Sequence, residues 1–371
     1  MSEADFEVPA AYRLLGVTIP DNWVVREPLG WRIDTQSGLP LRADIYGTGG
    51  NFSVGYIVEK EGRRAFLKAL NLASAMHSAD VLGALKSMTE AAIFEASIHA
   101  VCSQHKMDRV VLAVASGQIK IGVNLQDTVP YLILELADGD VRRRLRIVDN
   151  SFRLAWGLRA LHHAATGLAQ IHKRGIAHQD LKPSNLLNFG DQKAFKIGDF
   201  GRAVRQGAQP PHEDFLVAGD PTYAPPELLY GQVDPDWNSR RMGCDIYLLG
   251  SMLCFFVLGE GTTPLLMGRL APAHRPQIWN GRWIGSYSDV LPNIRNAFTN
   301  VIDDFSSEVE ERLKGELTSV LIQLCEPDPL FRGHPLARAQ AFANRHDLSR
   351  FISIFDRLAR KSEIIARGSV A

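Results

Sequence analysis

Two short polar loops, close together in the chain and each flanked by apolar residues, constrain this sequence more than anything else in it. The first is His178-Gln179-Asp180-Leu181-Lys182-Pro183-Ser184-Asn185, and the second is Lys196-Ile197-Gly198-Asp199-Phe200-Gly201. Leu154, Leu158, Leu161, Ala165, Leu168 and Ile171 recur at helical spacing upstream, and Gly175 ends that helix just before the first loop. Any one of these loop residues alone is most simply a solvated charge or a turn former. Together, in order and at short range, they bring two carboxylates, a lysine and an amide into adjoining loops.

That inventory suits phosphoryl transfer. The reaction needs cations on the phosphate, a carboxylate to orient the attacking hydroxyl and little covalent help, so most of the catalysis is positioning and electrostatics. On these residues the chain resembles the protein kinases. The resemblance implies that Asp180 orients the substrate hydroxyl, that Lys182 neutralises the transferring phosphoryl group, and that Asn185 and Asp199 hold Mg2+ against the phosphates of ATP.

The upstream half of a nucleotide site is less regular. Gly47, Gly49 and Gly50, followed by Ser53 where a third glycine is usual, resemble a phosphate-covering loop, although such a cluster is also a hairpin turn. Lys68 follows on a strand-like return, where the family's phosphate-anchoring lysine lies, with Phe66 in place of a small residue two positions earlier. Glu95, with Glu90 as the alternative, is the expected partner of Lys68 on a helical stretch from Ser78 to Val101 that reads as one long helix or two short ones. Glu135 and Ala137 resemble the hinge that meets adenine, and Asp140 either reaches the ribose or caps the next helix.

Downstream, Gly219-Asp220-Pro221-Thr222-Tyr223-Ala224-Pro225-Pro226-Glu227 resembles the end of an activation segment, and Asp245 with Gly250 a helix that anchors the catalytic loop. The resemblance pairs Glu227 with Arg332 and reads Lys182 with Thr222 as marks of the serine/threonine branch. Small-molecule kinases lack the Glu227 arrangement, which argues for a protein substrate. Gln179 stands where many relatives carry a phosphate-gripping arginine, and glutamine does not bind phosphate as arginine does. Residues 200–221 contain no Ser, Thr or Tyr, so activity without activation-segment phosphorylation is expected.

Lys plus Arg (41) equal Asp plus Glu (41), so no global field calls for nucleic acid or an anionic membrane. The widely spaced Cys102, Cys244, Cys254 and Cys325 show neither zinc nor disulfide spacing, and the start of the chain lacks a secretion pattern; a cytoplasmic setting is expected. The apolar run Ile246–Leu258 is shorter than a membrane span and reads as a buried core helix. The expected fold is α+β and bilobal, protein kinase-like, with a small β-rich N-lobe holding one main helix and a larger helical C-lobe. The expected divisions are an extension over 1–30, the N-lobe over 31–137, the C-lobe over 138–345 and a C-terminal helix over 346–371, with Phe351, Ile354, Phe355 and Leu358 on one side. Trp279 and Trp283 mark either a partner surface or local packing. Two other functions fit the sequence: a kinase-shaped binding module, favoured by Phe66, Gln179 and the irregular glycine loop, and a small-molecule phosphotransferase.

Overall fold

The computed structural model describes residues 8–35, 39–42, 53–190, 194–209, 211–213, 215–339 and 344–370. The chain divides into two compact units, Met1–Lys106 with Val111–Ala137, and Met107–Val110 with Asp138–Ala371. These are the β-rich and the helical parts of the expected bilobal fold.

The first unit contains β1 (Thr18–Ile19), β2 (Trp23–Leu29), β3 (Trp31–Ile33), β4 (Pro40–Arg42), β5 (Ser53–Lys60), β6 (Arg63–Leu70), α1 (Val81–Gln104), β7 (Ala113–Lys120) and β8 (Thr128–Glu135). Six of the strands form an antiparallel sheet in the order β1-β2-β5-β6-β8-β7, and β3 pairs with β4. Strand alternation sends Val54, Tyr56 and Val58 of β5 and Ala65, Leu67 and Ala69 of β6 into one core. Glu61 and Gly62, both at positive φ (50° and 77°), make the two-residue turn between them, as the sequence signals. Residues 18–29 are not a mere lead-in: they are β1 and β2, with Trp23 and Val25 buried. The prolines at 20 and 28 obscure this pattern but fall at strand ends, where a missing N–H is tolerated. Of the stretch from Ser78 to Val101, everything from Val81 on belongs to the single helix α1, whose N-terminus is capped by Asp80 accepting from Gly83 N at 2.9 Å.

The second unit contains β9 (Gly139–Asp140), α2 (Val141–Arg144), α3 (Arg153–His172), β10 (Ile176–Ala177), β11 (Leu186–Phe189), β12 (Ala194–Ile197), β13 (Val204–Arg205), α4 (Pro226–Leu229), α5 (Gly243–Leu258), α6 (Thr262–Arg269), α7 (Tyr287–Glu308), α8 (Glu311–Cys325), α9 (Pro335–Arg338) and α10 (Ser349–Val370). Its core is α5, buried over almost its whole length. With the π-helical turn Asn238–Met242 before it, the helix reaches 21 residues and is apolar and long enough to cross a membrane, yet 83% of its apolar window is buried in protein. It is a core helix, as expected. Helix α10 packs Phe351, Phe355 and Leu358 inward, and Arg159 of α3 holds Asp356 and Glu363 at 2.7 and 2.8 Å. Small antiparallel sheets, β12-β11-β9 and β10-β13, hold the ends of the two polar loops.

Candidate active site

In the first unit, Lys68 lies on β6 and its ammonium donates to both carboxylate oxygens of Glu95, at 2.8 and 3.0 Å. Glu95 is buried on α1, whereas Glu90 is exposed and only loosely paired with Lys86 at 3.9 Å, so Glu95 is the partner. Phe66 finds room because residue 55 is glycine: a Cβ there would stand 3.0 Å from the Phe66 ring and 3.0 Å from Leu29 O. Ser53 opens β5 opposite Leu70. Gly47, Gly49 and Gly50 lie outside the described residues. Glu135 is fixed by its own carboxylate, which accepts from Leu112 N at 2.9 Å, and Ala137 is half-buried at the end of the unit.

In the second unit, Asp140 serves as the N-cap of α2, accepting from Arg143 N at 2.9 Å. The first polar loop spans from β10 to β11 and is tied down from beneath by Asp245, which is fully buried on α5. His178 N and Gln179 N donate to its two oxygens at 2.7 and 2.8 Å, and the His172 ring meets it at 2.8 Å. The second loop joins through His178: Asp180 N donates to Nδ1 (3.3 Å), so Nε2 carries the proton and donates to Gly198 O (3.0 Å). Gln179 (φ 65°) and Asp199 (φ 63°) sit in the left-handed region that non-glycine residues occupy rarely and at a cost. Gln179 directly precedes Asp180, and Asp199 is itself the second acid, so both strained positions lie at the candidate chemistry.

Asp180 is 7% exposed. Its Oδ1 accepts from Asp220 N at 2.9 Å, and its Oδ2 meets Asn185 Nδ2 at 3.1 Å and Lys182 Nζ at 3.2 Å. Burial pushes the Asp180 carboxyl above its usual range; Lys182 opposes that rise and Asp199 adds to it. Burial alone would lower the Lys182 pKa, but the Asp180 and Asp220 carboxylates reverse the effect and hold it raised. Asn185 commits Nδ2 to Asp180 O (2.8 Å) and Oδ2, which turns its amide oxygen away from Asp180. Asn185 O accepts from Gly198 N at 2.9 Å, next to Asp199. An amide oxygen and a carboxylate are hard donors of the type Mg2+ takes, and that ion completes its shell with water and phosphate, so these residues fit it. Among the described residues no cluster of three His, Cys, Asp or Glu side chains could hold a metal by itself.

The sequence names Lys182 and Thr222 together only as marks of the serine/threonine branch, and in the structure the two are linked through Asp220. Thr222 is exposed, and its N and Oγ1 donate to Asp220 Oδ1 at 3.0 and 2.7 Å. It is Asp220 that reaches Lys182, at 3.3 Å. The carboxylate at 220 was visible in the sequence, but its pairing across the loop was not. Gly219 permits this approach, since a Cβ there would collide with Gln179 O and stand 2.9 Å from Asp180 Oδ1. Thr263, also missed, donates to Ala224 O at 2.8 Å and braces the platform from α6. Glu227 and Arg332 form the expected pair, bidentate at 2.6 and 2.8 Å and fully enclosed, with Arg332 stacked 5.0 Å from the Tyr247 ring. Trp283 donates to Ser286 O at 3.2 Å, Trp279 is half-buried, and neighbouring Tyr287 is buried, donating to Pro327 O at 2.7 Å.

Residues 44–333 match the protein kinase domain. The chain belongs to the protein kinase family. Among similar proteins, serine/threonine-protein kinase PLK4 of Xenopus laevis is 35% identical over 35% of this chain and 13% of that protein. Aurora/IPL1-related protein kinase 2 of Caenorhabditis briggsae is 32% identical over 35% of this chain and 40% of that protein. Cell division control protein 2 homolog 3 of Trypanosoma brucei brucei is 28% identical over 57% of this chain and 68% of that protein. The match spans less than half the length of the first two relatives. Lys68, Glu95, Asp180, Lys182, Asn185 and Asp199 all lie within the matched span.

Proposed function

We propose that this kinase transfers the γ-phosphate of ATP to serine or threonine hydroxyls of protein substrates and does so without phosphorylation of its own activation segment. The observation that carries the reading is Asp180, buried and fixed between Lys182, Asn185 and the Asp220 amide on a loop pinned by Asp245. In the reaction the bond from the γ-phosphorus to the β–γ bridging oxygen breaks and a bond to the acceptor hydroxyl forms. The hydroxyl proton passes to Asp180, and ADP leaves. Lys182 offsets charge on the moving phosphoryl group, and Lys68, held rigid by Glu95, anchors phosphate oxygens. Glu135 and Ala137 offer backbone groups to adenine. Asn185 and Asp199 would hold Mg2+, which would supply neutralisation of phosphate charge.

The sealed Glu227–Arg332 pair supports a protein acceptor, because it rigidifies the end of the segment on which a polypeptide substrate docks. Complete catalytic positions count against an inactive binding module. Ile278 and Ile284, 59% and 89% exposed beside Trp279 and Trp283, support a partner surface there. Four buried free thiols suit a reducing cytoplasm. Radiolabelled ATP with Mg2+, offered to protein and small-molecule acceptors, tests the reading. Wild type labels protein, while Asp180→Ala and Asp199→Asn do not; equal labelling by all three, or labelling of small molecules alone, contradicts it.

A further inference from the structure

Between the second polar loop and Glu227, the segment is fixed at a point no catalytic role explains. Arg241, in the π-helical turn before α5, is 1% exposed. A guanidinium taken out of water needs a counter-charge, and among the described residues Arg241 has one carboxylate within reach, Glu213, at 3.0 Å from NH2. Arg240 converges on the same residue, its NH1 3.4 Å from the Glu213 carboxylate and its NH2 donating to Glu213 O at 3.1 Å. The π-helical turn sets these two consecutive arginines toward one residue, and such turns cluster at functional sites.

The grip continues to the catalytic loop. Arg241 NH1 donates to Gln179 Oε1 at 3.3 Å, and Gln179 Nε2 returns a bond to Arg241 O at 2.8 Å and another to Asp245 Oδ1 at 3.1 Å. Gln179 directly precedes Asp180. An arginine at 179 would set a second guanidinium against the buried one, so Gln179 and Arg241 are matched. The segment is also closed on its own start by His212, whose Nε2 lies 2.8 Å from Gly201 O.

We propose that Glu213 is a positioning residue: its fixed carboxylate, gripped by Arg241 and Arg240, registers the 199–227 segment against Gln179 and so takes the place of a regulatory phosphate. The inference rests on the reading of the chain as a kinase active without segment phosphorylation, and it names the device responsible. Glu213 supplies a permanent negative charge in a stretch that offers no hydroxyl to modify between residues 200 and 221.

Two readouts on the full chain test it: steady-state kinetics, and hydrogen exchange of the backbone amides in 203–219. Glu213→Gln keeps the shape and removes the charge; it lowers kcat about tenfold, leaves KM for ATP within about twofold and speeds exchange in the segment. Glu213→Asp restores most of kcat, which a loss of fold would not allow. Gln179→Arg lowers kcat rather than raising it. Wild-type kcat in Glu213→Gln overturns the inference while leaving the kinase reading intact. A wild type that transfers no phosphate defeats the kinase reading; faster exchange in Glu213→Gln then still upholds the ordering role, and unchanged exchange removes that as well.

Discussion

Glu213 and Glu227 lie on one segment, and each faces arginine, yet the two pairs have different consequences. Glu227 meets Arg332 where both side chains are sealed, at 9% and 0% exposure, and the contact is bidentate. Glu213 keeps 38% of its side chain in water while its partner Arg241 has 1%. Removing Glu227 strands a charge in the core beside Tyr247, whereas removing Glu213 lets water approach the open side of the pair. The end of the segment therefore belongs to the folding energetics of the second unit, and its middle to the alignment of the catalytic loop.

The largest expected effect comes from breaking the sealed pair. Glu227→Ala leaves Arg332 unpaired and destabilises the chain by roughly 3–5 kcal/mol in urea denaturation. A loss below about 1 kcal/mol would erase the contrast with Glu213. Gly219→Ala shifts the balance toward function: a Cβ against Gln179 O displaces the segment from Asp180, and kcat falls about a hundredfold with little change in stability. Comparing Tm with kcat for both variants separates the two ends of the segment.

Acid should act on the core side of this contrast. His346 is 1% exposed, neither ring nitrogen has a hydrogen-bond partner among the described residues, and burial lowers its pKa from 6.5 to about 3. Arg345, Arg332, His172 and Asp236 face it; the first three reinforce the lowering and Asp236 opposes it. Between pH 6.5 and about 3 the unfolded chain binds a proton that the folded chain refuses, so stability falls as pH drops through that window. The loss expected from His346 at pH 5 is about 2 kcal/mol relative to pH 7.5. His346→Leu should remove that part of the slope in paired denaturation curves, leaving the part due to buried His163, lowered likewise to about 3. The smallest effect belongs to Thr222→Ala. It removes one exposed hydroxyl bond to Asp220 and should change kcat by no more than about threefold. A hundredfold loss would give Thr222 a part in catalysis beyond its bond to Asp220.

What the sequence revealed follows from how far apart the cooperating residues lie. Asp180, Lys182, Asn185 and Asp199 were legible because one or two short loops carry the whole chemical inventory. Lys68 and its preferred partner Glu95 were legible, and the face of α1 that buries Glu95 and exposes Glu90 removes the alternative. The strands at 18–29 were hidden because the prolines at 20 and 28 read as breaks, while the burial of Trp23 and Val25 on one face shows only once β2 is paired with β5 in the sheet. Asp220 and the Glu213–Arg241–Gln179 chain depend on side chains from distant stretches meeting around the catalytic loop, which no local pattern announces. Substituting Gln179 was noticed as a departure; the arginine that compensates for it was not.

We propose that this kinase works with an unmodified activation segment, and the transfer rate of enzyme shown by mass spectrometry to carry no phosphate between residues 199 and 227 tests this directly. The account predicts that phosphatase-treated wild type labels protein substrate at the untreated rate, with Asp180→Ala inactive under the same conditions. Loss of that rate on dephosphorylation, and its return when Thr222 or Tyr223 is phosphorylated, would contradict it.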